Sequence, residues 1–439
     1  MTLQVSPEQT AKRARTVKWV VSIATVGLIF DGYDLVVYGT VVSTLIRDPE
    51  WALTPAQAGA IGSYALFGMM TGAIIAGAVG DYVGRRRLLL TAIAWFSIGM
   101  AVTAMAPSVT VFSIARFLTG IGIGALVAAA GATVAEFAPP GKRNLYNAIV
   151  FAGYPAGGVV ASLTALVILQ PFGFRTLFWI GALPLVTLLP LAYFKLPESP
   201  AWLQSRGRLE EANAASLRTG VPLPVVDQTP EAKAKPARGG FAGIFTRYYA
   251  VATILIGLMS AGGLMLTYAL NTWLPELMVR NGFGTQSSLL LLLLLNAGAI
   301  VGSLFASRFA DRFGAKIVIV TTFSLAAVSI AVLTLSLPLG LLFFFVAIGG
   351  LGTIGTQVLI YGFVSNYYPT NNRAAGVAWA AGFGRLGGIA GPLVGGFLLT
   401  AGLDISWIFL TFAAVAVLGA IVTAFVPRAK AKEKVLTVV

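Results

Sequence analysis

Four ionisable side chains stand in surroundings with little to neutralise them. Asp31 and Asp34 lie within "GLIFDGYDLVVYGTVV", Arg116 within "FSIARFLTGIGIG" and Arg385 within "AGFGRLGGIAGP". Two carboxyls and two guanidiniums sum to no formal charge, so they could serve only as ion pairs between helices. They could equally do chemistry, since a buried acid can carry a proton and a guanidinium fork can hold a carboxylate through two hydrogen bonds. Asp31 and Asp34 are three residues apart, which on a helix puts them on one side, about 60° from eclipse. Carboxyls that close in a low dielectric do not easily both ionise, so one would hold a proton. Which of the two does so is left open by the spacing. Gly32 between them suits either close helix packing or local unwinding.

The elements that position these charges follow from composition. Of the 439 residues, 57% are hydrophobic and only 10% charged, with a mean hydropathy of +0.85. A soluble domain carries about 25% charged residues, so an all-α polytopic membrane protein is expected. There is no cysteine and no histidine. Disulfides, thiol nucleophiles, histidine metal sites and Ser-His-Asp triads are thereby excluded, as is a histidine proton relay. Twelve apolar segments of spanning length can be marked, at 18–46, 56–79, 88–106, 110–135, 145–169, 175–195, 248–273, 286–306, 316–336, 339–363, 374–400 and 404–426. Each charge at the centre of such a span costs about 2.5–3.5 kcal/mol on insertion scales, and such residues usually face a cavity.

Basic residues orient the spans. Twenty-five Lys and Arg fall in the termini and in the loops on their side, against Arg47, Arg175 and Arg280 on the other side. By the positive-inside rule both termini are cytoplasmic, and the net charge of +14 marks topology rather than nucleic-acid binding. The first span resembles a signal peptide in length, but no small-residue cleavage site follows, so it is expected to be retained. Residues 204–243 are polar and join two sets of six helices. Within them "GRLEEANAASLR" suits a short amphipathic helix at the membrane surface, and the Pro-Lys-Ala stretch suits a flexible link. The domains expected are a six-helix bundle over 1–203, a cytoplasmic linker over 204–243 and a second bundle over 244–439.

A repeat supports that division. Asp81 and Asp311 are 230 positions apart, as are Gly84 and Gly314, Gly120 and Gly350, Gly122 and Gly352, Pro139 and Pro369, and Arg143 and Arg373. Parallel duplicated bundles follow, related by an axis along the membrane normal. Features of the shared scaffold recur in both halves, whereas a single asymmetric site need not. Asp31, Asp34 and Arg116 map at this offset onto Ala261, Leu264 and Val346, and Arg385 maps back onto Pro155. These four charges are unique to their positions, which points to mechanism.

Motifs then carry a resemblance. "GAVGDYVGRR" (77–86) resembles the signature of the major facilitator superfamily in Gly77, Asp81, Gly84, Arg85 and Arg86, with Tyr82 where a basic residue is usual. "RFADRFGAK" (308–316) is a second copy, and "LPESPAWL" (196–203) resembles the segment that ends helix 6. Within the superfamily, "FDGYDLVVYG" and "GFGRLGGIAGP" resemble the aromatic acid:proton symporters, which import benzoate, hydroxybenzoates, protocatechuate or gentisate into bacteria. The resemblance implies alternating access in the bacterial inner membrane. It implies no enzyme activity and no cofactor beyond the proton gradient, with the chain functional as a monomer. Its partners would be an aromatic carboxylate, protons and the lipid bilayer. Other readings are a carrier of another organic acid, an exporter of aromatic compounds, a receptor or a membrane-embedded enzyme. No phosphate-binding loop, metal-ligand cluster or sizeable soluble domain favours the last two.

Roles can then be set out as expectations. Asp31, Asp34 and Arg116 would couple to protons, with Arg116 pairing with Asp34 or Asp31. Arg385 would take the substrate carboxylate. Tyr38, Tyr154, Tyr268, Asn271, Trp273, Gln357 and Tyr361 are candidates for holding the ring, although ordinary packing suits each as well. Gating would fall to Asp81, Gly84, Arg85, Arg86, Arg143, Asp311 and Arg312 on the side of the termini. The resemblance implies that Asp81 meets helix 11 there. Glu136, in "EFAPPGKR", is expected to pair with Lys142 or Arg143.

Overall fold

A computed structural model describes residues 7–139, 141–223, 240–335 and 337–427. Twelve helices are long and apolar enough to cross a membrane, and no strand occurs among the described residues. In hydrocarbon a helix satisfies its backbone internally, which is why these apolar runs take this form. The first half holds α1 (Pro7–Arg47), α2 (Pro55–Val83), α3 (Arg85–Met105) and α4 (Val109–Phe137). It continues with α5 (Arg143–Phe151 and Gly153–Phe172) and α6 (Phe174–Ala182 and Leu188–Lys195). The second half holds α7 (Ala250–Arg280), α8 (Thr285–Phe313), α9 (Ala315–Val332), α10 (Leu339–Gly350 and Thr356–Tyr367), α11 (Thr370–Thr400) and α12 (Ile405–Phe425).

Some bounds differ from the expected ones. α1 begins at Pro7 rather than near 18, its polar first turns held by an Lys12–Glu8 ion pair one turn apart. α6 is interrupted by a tight turn over Leu183–Leu185 at Pro184, and α10 widens into a π-turn over Leu351–Gly355. The amphipathic segment does form a helix, Leu209–Thr219, and it buries Ala212 and Ala215 against Trp202 and Leu203. Gly220, at φ +71°, then abuts the backbone of Gln9 and Arg13. The Pro-Lys-Ala stretch (224–239) and the basic C-terminal residues from 428 lie outside the described residues.

Within the first bundle α2 packs on α4, α1 on α5, and α3 on α4 and α6. The second repeats the pattern with α8 on α10, α7 on α11, and α9 on α10 and α12. The repeat holds at the level of atoms. A Cβ on Gly68 would run into the carbonyl of Phe117, and one on Gly298 into that of Ala347. Gly120 likewise abuts Ala65 and Gly350 abuts Leu295, while Gly122 abuts Phe96 and Gly352 abuts Ala326. In each case both the glycine and its neighbour shift by 230 positions. Gly84 and Gly314 end α2 and α8 at φ +98° and +91°, a conformation that L side chains rarely adopt.

The bundles meet through α1–α7, α2–α11 and α5–α8. Their close approaches lie in the half of the helices away from the termini. Gly59 and Gly62 abut Pro392, Gly39 abuts Asn271, Gly396 abuts Pro55, and Ser63 Oγ donates to the Ile389 carbonyl at 2.7 Å. The Arg47–Glu276 ion pair (2.8 Å) closes that end. No ion pair links the bundles at the other end among the described residues. Among the described residues the bundles are thus joined by an ion pair on one face and by none on the face of the termini.

Candidate functional site

The two acids of α1 have different partners. Asp34 is fully buried and accepts a hydrogen bond from Arg116 Nη1 of α4, with Nη2 reaching the Asp34 carbonyl at 3.4 Å. The Arg116 guanidinium lies 5.3 Å from the Tyr38 ring centroid and 5.9 Å from that of Phe178. Of the two partners open to Arg116, Asp34 is the one it takes. Asp31 is 4% exposed, its Oδ1 has no hydrogen-bond partner, and it lies within electrostatic reach of Arg385 on α11. The 60° between positions three apart is enough to aim one carboxyl into the first bundle and the other at the interface. α1 runs unbroken through Gly32, where a Cβ would overlap the Tyr154 carbonyl of α5. Packing, not unwinding, explains that glycine.

Around Asp31 and Arg385 the bundles present rings and unused polar atoms. Tyr154 and Tyr268 meet edge to face at 6.3 Å and 88°, across the interface, and the Tyr154 hydroxyl has no partner. Tyr268 feels both Asp31 and Arg385, and Tyr361 feels Arg385. Gln357 Nε2 donates to Ser260 Oγ at 2.9 Å, which leaves Gln357 Oε1 without a partner. An acid, a guanidinium, an amide and three tyrosines therefore converge from α1, α5, α7, α10 and α11. This arrangement brings opposite charges and aromatic rings together between the bundles.

Three expected ring-holding residues are spent elsewhere. The Tyr38 hydroxyl donates to the Ala58 carbonyl at 2.6 Å while its ring supports Arg116. Asn271 donates to the Thr267 carbonyl and accepts from Asn296 Nδ2 at 2.9 Å. Trp273 is fully buried, with Nε1 on the Pro392 carbonyl at 2.9 Å. These side chains build the closed half rather than line the site.

The face of the termini departs from expectation in two places. Glu136 accepts from Arg85 Nε at 2.8 Å, not from Lys142 or Arg143, because α3 brings Arg85 alongside the end of α4. Asp81 pairs with Arg85 Nη1 at 2.9 Å, its side chain 73% exposed, and no bond from it to α11 occurs among the described residues. Arg86 is tied to the Leu196 and Tyr193 carbonyls, while Arg143 opens α5. Where the motif has Tyr82 in place of a basic residue, Arg206 lies 4.9 Å over that ring and donates to the Asp81 carbonyl at 2.6 and 3.0 Å. In the second half Asp311 and Arg312 form no ion pair among the described residues, and Arg312 lies over Phe313.

Two acids were missed in reading the sequence. Glu276 of α7 is fully buried and shared between Arg47 (2.8 Å) and Arg280 (2.6 Å). Its spacing of four from Arg280 is the signal that the sequence offers. Glu198 accepts the backbone N–H groups of Arg85 and Arg86 at 2.9 and 3.1 Å, capping α3, where a carboxylate favours the helix N-terminus.

Two bundles of six helices related by a repeat, with charges converging between them, define a secondary transporter of the major facilitator fold. Residues 20–435 match the family described as "Sugar (and other) transporter", and the chain belongs to it. It is a multi-pass membrane transporter, not an enzyme. It is 34% identical to the "Benzoate transport protein" of Acinetobacter baylyi, over 92% of this chain and 88% of that one. It is 33% identical to the "Gentisate transporter" of Corynebacterium glutamicum, over 90% and 84% of the two chains. In fold it is similar to the xylose transporter XylE from E. coli in a partially occluded inward open conformation. The TM-score is 0.71 at 20% identity, covering 94% of this chain and all of that one.

Proposed function

We propose that this chain imports an aromatic monocarboxylate together with a proton, by alternating access across the bacterial inner membrane with both termini in the cytoplasm. The reading rests on Asp31 of the first bundle lying within electrostatic reach of Arg385 of the second, beside buried polar atoms that have no hydrogen-bond partner. The relatives named for benzoate and gentisate support the substrate class.

The chemistry follows from one guanidinium serving two carboxyls. Arg385 can neutralise Asp31 or the substrate carboxylate, but two anions against one cation in a low dielectric are costly. The favourable loaded state places the substrate on Arg385 and a proton on Asp31. When substrate and proton leave together, Asp31 and Arg385 compensate one another and the empty carrier can return. Asp34 and Arg116 stay paired and fix the helix that carries Asp31. No cofactor is required, since the proton gradient supplies about 1.4 kcal/mol per pH unit and any net charge moved adds about 2.3 kcal/mol per 100 mV. The site draws on both halves of one chain, so the monomer suffices as the transporting unit. The unlatched face would open to the cytoplasm, and Asp81 and Asp311 would engage the opposite bundle only when that face closes.

Uptake of radiolabelled benzoate, 4-hydroxybenzoate, gentisate and protocatechuate by cells, with and without an uncoupler, tests the reading. At least one acid is expected to accumulate and to be lost on uncoupling. Arg385→Ala should reduce that uptake to background at normal membrane abundance. Uncoupler-insensitive accumulation, or normal uptake by Arg385→Ala, would refute it.

A further inference from the structure

At the closed face Glu276 is, among the described residues, the one acid held by two arginines. Arg47 reaches it from α1 of the opposite bundle with Nη1 at 2.8 Å and Nη2 at 3.4 Å, and Arg280 reaches it from its own helix at 2.6 Å. Burial is uneven, since the Glu276 side chain is 0% exposed and that of Arg47 is 47% exposed. This is the one ion pair between the bundles among the described residues. Asp48, the nearest acid in sequence, is occupied in capping its own loop through the N–H groups of Glu50 and Trp51.

Opening this face must pull α1 from α7 and break Arg47–Glu276. A buried carboxylate stripped of its only cation would resist that strongly. Here it is not stripped, because Arg280 moves with it. Opening therefore leaves Glu276 neutralised and Arg47 as an unpaired guanidinium at the mouth, with one hydrogen bond to the Ser43 carbonyl at 2.9 Å. That guanidinium has just released a carboxylate held by two nitrogens, so its natural replacement is another carboxylate.

We infer that Arg47 is an outer reception site for the substrate carboxylate, and that Glu276 occupies it as an internal stand-in while the outer face is closed. The inference rests on the carboxylate-import reading above. External carboxylate competes with Glu276 for Arg47, favours the open face, and then passes inward to Arg385. Glu276 is never left without a cation, because it keeps Arg280 whenever it gives up Arg47, and the incoming carboxylate neutralises the guanidinium that is left over.

A simple latch makes a different prediction from a reception site. Arg47→Gln and Glu276→Gln break the same ion pair, so a latch alone gives both variants the same KM for external benzoate. A reception site separates them, since Glu276→Gln removes the competitor while Arg47→Gln removes the site. The KM of Arg47→Gln should exceed that of Glu276→Gln by about fivefold or more, with Arg47→Lys between them because it keeps the charge and loses the fork. The measurement is initial-rate benzoate uptake by cells, normalised to membrane abundance. In parallel, labelling of Ser43→Cys by an impermeant thiol reagent, possible because the chain has no cysteine of its own, should be faster in both variants than in the parent. Equal KM values with faster labelling would reduce Arg47 to a latch and overturn the inference while leaving the import reading intact. Unchanged labelling would overturn the gate itself. Absence of transport of any aromatic acid by the parent chain would instead refute the import reading, and the inference with it.

Discussion

Asp34 is ion-paired with Arg116, whereas Asp31 forms no ion pair among the described residues, and each acid keeps one carboxylate oxygen without a hydrogen bond. Asp31 is proposed as the proton carrier on that difference in pairing, and the pairing of Asp34 is open to a stability test. Asp34→Asn leaves a guanidinium buried at 1% exposure without its charge partner, at a cost of about 3–5 kcal/mol. Unfolding in detergent should show that loss. The double variant Asp34→Leu, Arg116→Met should regain most of it, because a buried pair replaced by apolar volume is often neutral. The spacing of Asp31 and Asp34 showed that two acids share a side of α1. It could not show that α4 lies nearer one and α11 nearer the other, since that depends on how three helices cross. Tyr38, Asn271 and Trp273 misled for the same reason. Polar aromatic and amide side chains near mid-membrane read alike whether they face a cavity or a neighbouring carbonyl.

At the scale of elements, helices come together where glycine removes a side chain. Gly39 on α1 lies against the Asn271 carbonyl of α7, across the two bundles, whereas Gly32 lies against Tyr154 within one bundle. The same substitution should therefore act differently at the two places. Gly39→Ala should force the outer halves of α1 and α7 apart and speed impermeant-reagent labelling of Ser43→Cys. Alanine favours a helix over glycine by about 1 kcal/mol, so the effect would not come from helix propensity. Gly32→Ala should instead lower folded yield with no change in the labelling rate per folded molecule. Labelling that is unchanged by Gly39→Ala would contradict this account of closure. The glycines and their 230-residue repeat were visible in the sequence, and so were the twelve spans. The π-turn in α10 and the break in α6 were less legible, because apolar composition does not report local changes in hydrogen-bond register. Arg206 covering for the basic residue absent at Tyr82 was invisible as well, since it arrives from a separate helix end.

At the scale of the whole molecule, the bundles touch on one face and are unlatched on the other, with Asp31 and Arg385 between. Such a site can be exposed to each side in turn only if the bundles rock around it, and the repeat, with its axis along the membrane normal, makes the two rocking bodies alike. The central claim is that Asp31 supplies the proton that permits a carboxylate to occupy Arg385. Removing its charge should uncouple the cycle without destroying binding. Proteoliposomes bearing Asp31→Asn should therefore exchange labelled benzoate against internal benzoate at a rate near that of the parent. They should fail to accumulate benzoate when an inward proton gradient is imposed. Accumulation equal to that of the parent chain would contradict the account.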